Sequence, residues 1–320
     1  MRPANLVIHL YEKILIPTDF SKHSEKLVDC IGDIPGLKEV VLLNVVSRDP
    51  LARTWSPESE VKDATKKLEE EKNRPEKLGL KVKVRVEPAL EGEVGGIIKK
   101  VGDEEGVSLV AMGARGRSIL SGLLLGNVPQ DELRYGDKDL LIMRYKSLDK
   151  KEGEVLEMFC TRLFTKVLLP IDFSEAGMAA LNVIKANKIG DEVVLLHVVT
   201  RAENEEELQA KMQKAEKKLT AIKDELVSAG INAAVKVLKA NRGEDRTYGT
   251  GGMAAVKPPM IAGGAAEKII SAAEDENVSI IAMSSHGEGW VEKLLIGSVV
   301  WDVARMGTRP VLVIRSKMKA

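Results

Sequence analysis

The chain repeats itself, and a repeat of this length constrains its fold more than any other property. KILIPTDFS at 13–21 returns as KVLLPIDFS at 166–174, and EVVLLNVV at 39–46 returns as EVVLLHVV at 192–199, both at an offset of 153. GVSLVAMGARG at 106–116 matches NVSIIAMSSHG at 277–287, and KDLLIMR at 138–144 matches RPVLVIR at 309–315, now at an offset of 171. Preserved order means one folding unit used twice, and 320 residues is the length of two moderate domains. The expected division is residues 1–148, a linker at 149–164, and residues 165–320. The two offsets differ by 18, so the second copy has grown, and the Gly/Pro-rich stretch at about 240–262 is where the extra residues fall. Within it Tyr248 to Gly252 reads as either a lid or a surface insertion.

Each copy alternates short apolar runs with longer amphipathic stretches, the pattern of a parallel sheet with helices on both faces. The fold class expected is α/β: two tandem, doubly wound, Rossmann-like parallel sheets of five strands, packed as a pseudo-dimer. In the first copy strands are predicted near 13–17, 39–46, 81–87, 108–113 and 139–144. Ser21 is placed to cap a helix, and Ser56-Pro57 to open a long charged helix that Pro75 kinks or shortens. In the second copy Leu208, Met212, Ala215, Leu219, Ile222 and Leu226 recur at steps of three and four, the core stripe of a long helix. The linker, charged and then apolar, reads as a short helix. The last strand of each copy would be an edge, and edges invite pairing. Leu140–Arg144 is therefore expected to pair with Val311–Arg315 within one molecule, and a homo-oligomer beyond that stays open.

Composition removes several functions. Forty-eight basic residues balance 48 acidic ones, so no overall field draws in nucleic acid or anionic lipid. Aromatic residues are only 3% of the chain, too few for a base-stacking platform. Apolar runs are too short to span a membrane, and Cys30 and Cys160 stand apart from any metal-ligand spacing. A cytoplasmic protein without nucleic-acid or membrane partners is expected. Both cysteines read as packing residues, as do His23 and His197.

In an open doubly wound sheet, ligands sit beyond the carboxyl ends of the strands. There the copies are most alike. Asp19 and Asp172 follow the first strand, each before Phe-Ser; either carboxylate could accept from an amino group or a ribose hydroxyl, or simply brace the turn. After the fourth strand come loops bearing Gly113, Gly116 and Gly126 in one copy and Ser284, Gly287, Gly297 and Ser298 in the other. Glycine allows close backbone approach to a phosphate, and the following helix start offers N–H groups to an anion. No Walker loop and no dinucleotide fingerprint occurs. His286 lies in the second loop as a possible phosphate donor. Arg115 and Arg117 make the first loop basic, whereas Glu288 and Glu292 make the second acidic, so an extended phosphate is expected to favour the first.

Through these residues the chain resembles the universal stress protein family, over roughly 13–146 and 165–317, as a tandem member. The resemblance implies an adenine nucleotide, ATP or AMP, with Mg accompanying the triphosphate. It adds Val45 and Val198 at the adenine, and Asn127 where the family carries Ser or Thr. It also implies pairing through the last strand and a stress-response sensor or regulator acting on an unknown protein partner. Slow ATP hydrolysis or phosphoryl transfer is the enzymatic alternative, with neither a Walker Lys nor an evident general base to support it. A nucleotide-free interaction module is the third reading.

Overall fold

The computed structural model describes residues 11–48, 57–90, 92–115, 125–150, 153–157, 162–240, 264–287 and 296–315. The first repeat runs β1 (Lys13–Pro17), α1 (Lys22–Cys30), β2 (Glu39–Arg48), α2 (Pro57–Lys77), β3 (Lys81–Leu90), α3 (Val94–Glu105), β4 (Leu109–Gly113), α4 (Asn127–Tyr135) and β5 (Asp139–Met143). A hairpin, β6 (Lys146–Lys150) with β7 (Gly153–Glu157), follows it. The second repeat runs β8 (Lys166–Pro170), α5 (Glu175–Asn187), β9 (Glu192–Val199), α6 (Glu205–Ser228), β10 (Asn232–Lys239), α7 (Ala265–Asp275), β11 (Ile280–Ser284), α8 (Ser298–Met306) and β12 (Val311–Ile314).

All ten repeat strands form one sheet, in the order β10-β9-β8-β11-β12-β5-β4-β1-β2-β3. Each repeat is parallel within itself, and the two meet antiparallel at β5 and β12, with Val311 opposite Ile142, Leu312 opposite Leu141 and Val313 opposite Leu140. This is the tandem pseudo-dimer, and it buries completely the strands that would otherwise be apolar edges. The outer edges are β3 and β10, whose exposed positions include Lys81, Lys83 and Lys239, charges that discourage further strand addition. One face is covered by α1, α2, α5 and α6 through residues such as Leu27, Leu68, Leu181 and Leu219. The other is covered by α3, α4, α7 and α8 through Ile98, Leu133, Ile269 and Val303.

The described part of the linker region forms a β-hairpin where a short helix was expected, with Lys146 paired to Glu157 and Lys150 to Gly153, antiparallel. The chain beyond it is tied to the first repeat by the Leu163 N–H, which donates to Asp33 Oδ2 at 2.8 Å. Helix α2 runs through Pro75 and ends at Lys77; so close to the C-terminus the lost hydrogen bond costs little. Asn204 caps α6, accepting from the Glu207 N–H at 2.8 Å, and the stripe from Leu208 to Leu226 is core, with Met212 half-buried. Cys30 is buried, its Sγ–H directed at the Lys26 carbonyl, and burial pushes its thiol up to about 11. Cys160 and the 240–262 insertion, beyond Ala240 itself, lie outside the described residues.

At the amino ends of the strands the repeats share an ion-pair cluster. Glu105 receives Lys13 at 3.1 Å, Lys83 at 2.7 Å and Arg85 at 2.8 Å. In the second repeat Glu276 receives Lys166 at 3.1 Å and Lys236 at 2.7 Å. Burial opposes ionisation of Glu105, but the bonds from Lys83, Lys13 and Arg85 outweigh it and bring its carboxyl from 4.5 down to about 2. A depressed folded-state pKa gives stability that is present above 4.5 and lost as pH falls toward about 2. Glu105→Gln is expected to lower unfolding stability at pH 7 by about 1.5–3 kcal/mol. In urea melts the gap from wild type should narrow steadily below the ordinary carboxylate range; a gap unchanged with pH would contradict this role.

Candidate nucleotide site

The turn after each first strand is built twice by the same chemistry. Phe20 and Phe173 adopt left-handed backbone, φ 58° and 63°, which a bulky residue avoids unless its neighbours enforce it. The aspartates enforce it. Asp19 Oδ1 accepts from the Ser21 N–H at 3.0 Å and the Ser24 hydroxyl at 3.1 Å. Asp172 Oδ1 accepts from the Ser174 N–H at 3.0 Å and its hydroxyl at 2.6 Å. Ser21 and Ser174 then cap α1 and α5, accepting from the Ser24 and Gly177 N–H groups. Bracing the turn and lining a cavity are thus compatible, and Asp19 does both.

A second brace comes from the one residue that differs between EVVLLNVV and EVVLLHVV. Asn44 donates through Nδ2 to the Thr18 carbonyl at 2.7 Å, and His197 Nδ1 lies 2.7 Å from the Ile171 carbonyl, which can only accept. Two side chains with an N–H at the same reach do one job. The exchange of Asn for His at matching positions is the sequence signal for this brace, so His197 is a bracing and not merely a packing residue. The elbow phenylalanines are covered from the long helices, Lys67 Nζ standing 5.4 Å from the Phe20 ring and Lys218 Nζ 4.5 Å from the Phe173 ring.

The glycine loops are also built alike. The Ala114 N–H donates to the Met143 carbonyl at 2.9 Å and the Gly126 N–H to the Ala114 carbonyl at 2.8 Å. The Ser285 N–H donates to the Ile314 carbonyl and the Gly297 N–H to the Ser285 carbonyl, both at 2.9 Å. Gly126 and Gly297 stand at the N-caps of α4 and α8 with no side-chain cap, leaving each helix start to other acceptors. Pro129 withholds one donor from α4, so Asn127 and Val128 present that helix's first N–H groups. A Cβ on Gly113 would stand 3.2 Å from the His23 Cβ and 3.2 Å from the Arg115 carbonyl. The second repeat has Ala176 at the place of His23, and there Ser284 is accommodated, donating to the His286 carbonyl at 2.6 Å. His286 Nδ1 is engaged with the Ser285 hydroxyl at 2.8 Å, and a Cβ on Gly287 would collide with the Asp172 carboxylate.

In the first repeat these parts surround a cavity of about 780 Å³. Asp19, Val45, Gly113, Arg115, Gly126 and Asn127 all line it, so six of the expected first-copy residues come together. Gly116 and Arg117 lie outside the described residues, as do Glu288, Glu292 and the Tyr248–Gly252 stretch. In the second repeat Asp172, Val198, Ser284, His286, Gly287, Gly297 and Ser298 occupy the matching strand ends and loop, with Asp172 against Gly287. One wall of the first cavity was not foreseen: α2 contributes Glu60, Asp63 and Lys67. Counting back from the shared Lys67–Lys218 pair, Lys211 and Lys214 stand on α6 where Glu60 and Asp63 stand on α2. The charge difference between copies therefore runs in opposite directions on the loops and on the long helices.

Further along α2 lies Glu71. Burial, reinforced by Glu25 and Asp19 and opposed by Arg74, lifts its carboxyl from 4.5 to about 7. The matching residue of α6 is the buried Ile222. Among the described residues no group of three or more His, Cys, Asp or Glu stands together as a metal site, and no helix is long and apolar enough to cross a membrane.

The fold and the two like strand-end arrangements define a duplicated α/β protein, and its similarity to known proteins makes the class specific. The model of the universal stress protein family matches residues 10–144 and 163–315. This chain belongs to that family. It is 32% identical over 180 residues to a universal stress protein of Methanocaldococcus jannaschii, covering 48% of this chain and 97% of that one. A solved universal stress protein from Archaeoglobus fulgidus superposes with a TM-score of 0.64 at 24% identity, covering 96% of this chain and 98% of that one. A protein of unknown function from Pseudomonas aeruginosa shares the fold at 13% identity, with a TM-score of 0.58 over 96% of this chain and 93% of that one.

Substitutions at two positions probe the site's construction. Asn44→His, which copies the second repeat, should leave stability nearly unchanged, whereas Asn44→Leu should lose about 1–3 kcal/mol by orphaning the Thr18 carbonyl. Equal loss in chemical denaturation would exclude the shared brace. For Glu71 the folded pKa is raised, so ionisation costs stability once pH climbs above 4.5, and the cost is complete above about 7. Glu71→Gln should therefore raise Tm at pH 8 and leave it nearly unchanged at pH 5.

Proposed function

We propose that this chain is an adenine-nucleotide-binding universal stress protein that takes ATP or AMP in the first-repeat cavity and acts as a nucleotide-dependent regulator. The observation that carries this reading is the cavity itself. At about 780 Å³ it lies within the range of small-molecule sites, and it collects an acidic end and an anion-accepting end in one space. At the first end Asp19 and the β2 strand end around Val45 suit the amino and hydroxyl groups of an adenosine. At the other, Arg115 and the uncapped start of α4 suit phosphate oxygens. Gly113 belongs to this end because a side chain there would press on His23 and on the Arg115 backbone. Asn127 supplies a side-chain amide where the family's usual Ser or Thr would offer a hydroxyl, and any Mg would arrive with the triphosphate.

The second repeat carries the same turn and loop, and we read it as a second, weaker site for the triphosphate. Its Asp172 rests on Gly287, so a ligand there has to move the carboxylate or bind beside it. A ligand bridging the β1 turn and α4 favours one arrangement of the glycine loop, and a differential affinity of that kind is what a regulator needs.

Mass spectrometry of small molecules released from the denatured, purified protein is expected to find an adenine nucleotide, and calorimetry to find ATP binding. Gly113→Val should weaken that binding tenfold or more, about 1.4 kcal/mol. Absence of both copurified nucleotide and binding of added ATP or AMP would discard the reading in favour of an interaction module.

A further inference from the structure

Each glycine loop is tied to the last strand of its own repeat, and the arginine after that strand reaches into the other repeat. In the first copy the Ala114 N–H holds the Met143 carbonyl. The next residue, Arg144, is buried and donates through Nη2 to the Ala304 carbonyl and, at 3.2 Å, to the Arg305 carbonyl. Those carbonyls belong to the last turn of α8, whose first residue follows Gly297 of the second loop. In the second copy the Ser285 N–H holds the Ile314 carbonyl, and Arg315 comes next. Its Nη2 donates to the Glu132 carbonyl at 2.7 Å and the Leu133 carbonyl at 3.0 Å, and its Nε to the Lys138 carbonyl at 3.1 Å. Glu132 and Leu133 lie in the last turns of α4, which starts after Gly126 of the first loop. The Gly126 and Gly297 N–H bonds back to Ala114 and Ser285 close the circuit. Across the seam Arg134 of α4 also stacks on Trp301 of α8, 4.2 Å from the ring centroid.

The physical content is specific. The last carbonyls of a helix lack partners within it, and a cation placed there is favoured by the helix dipole. A nine-residue helix is a rigid rod of about 13 Å. Its N-terminus faces one ligand site, and its C-terminus is gripped by a side chain anchored in the other.

We propose that Arg144 and Arg315 are cross-repeat positioning residues, each holding the anion-binding helix of the opposite repeat, so that a ligand in one glycine loop fixes the helix of the other. This rests on the nucleotide reading above. Such a device makes the two sites thermodynamically reciprocal.

The test uses the full chain with Gly287→Glu, a side chain that runs into Asp172 and closes the second site. Amide hydrogen exchange read by mass spectrometry is compared with and without ATP. Protection is expected at 126–135 and, although no ligand enters the second loop, at Ser298–Met306 of α8, with exchange there slowed about fivefold or more. Adding Arg144→Met should abolish the α8 protection and Arg144→Lys should keep it. ATP protection confined to the first repeat would overturn the relay while sparing the nucleotide reading, as would α8 protection that survives Arg144→Met. Absence of protection at 126–135 as well would overturn both. If Arg144→Met fails to fold, the spread of protection in Gly287→Glu alone decides.

Discussion

The antiparallel pairing of β5 with β12 is the contact on which the rest of the molecule depends. Leu140, Leu141 and Ile142 and their partners Val311 to Val313 have no exposed surface. Separated, each repeat would present a flat aliphatic edge with unpaired backbone groups, a template for aggregation. Joined, the same residues become the centre of a single sheet, and the arginines that follow them are carried to the far side of the seam. Burial of those guanidinium groups is offset by helix-end carbonyls, which are acceptors that need a donor. The seam therefore joins the two sheets and also brings the C-terminal ends of α4 and α8 to the opposite repeat.

Duplication also separates what the fold requires from what each copy has been free to change. Bracing of the first-strand turn is kept with different atoms: Asn44 in one copy, His197 in the other. The ammonium over the elbow phenylalanine is kept with the same residue type, Lys67 and Lys218. The ion cluster at the amino ends of the strands is kept around Glu105 and Glu276. Other positions differ between the copies: Gly113 packs on His23, whereas Ser284 at the matching place donates to the His286 carbonyl. Glu71, an α2 carboxyl that burial lifts to about 7, gives way to Ile222. Sites with one frame and different walls are suited to different ligands or different affinities.

Much of the fold was legible because its signals are local. The strands at 13–17 and 109–113 announce themselves as short aliphatic runs, and the periodic stripe of α6 fixes which face is buried. The linker hairpin was not legible, since Lys146–Glu157 carries mixed charge and weak alternation, and a helix satisfied the same composition. Residues of the site that lie on the repeated turns were legible for the same reason as the turns. Glu60, Asp63 and Lys67 were not, because a residue on α2 reaches the cavity only through the helix's rotation and its crossing over β2.

The sequence by itself determined that one α/β unit is used twice, that its sites follow the first and fourth strands, and that the two copies differ in charge. Periodicity, turn chemistry and self-comparison are properties of neighbouring residues, so they can be read without coordinates. The tertiary structure decided the register in which β5 and β12 join, that Asn44 and His197 are equivalent, and that Arg144 and Arg315 cross to the opposite repeat. Each of these depends on a contact between residues 26 to 183 positions apart, where only the packed chain sets the distance.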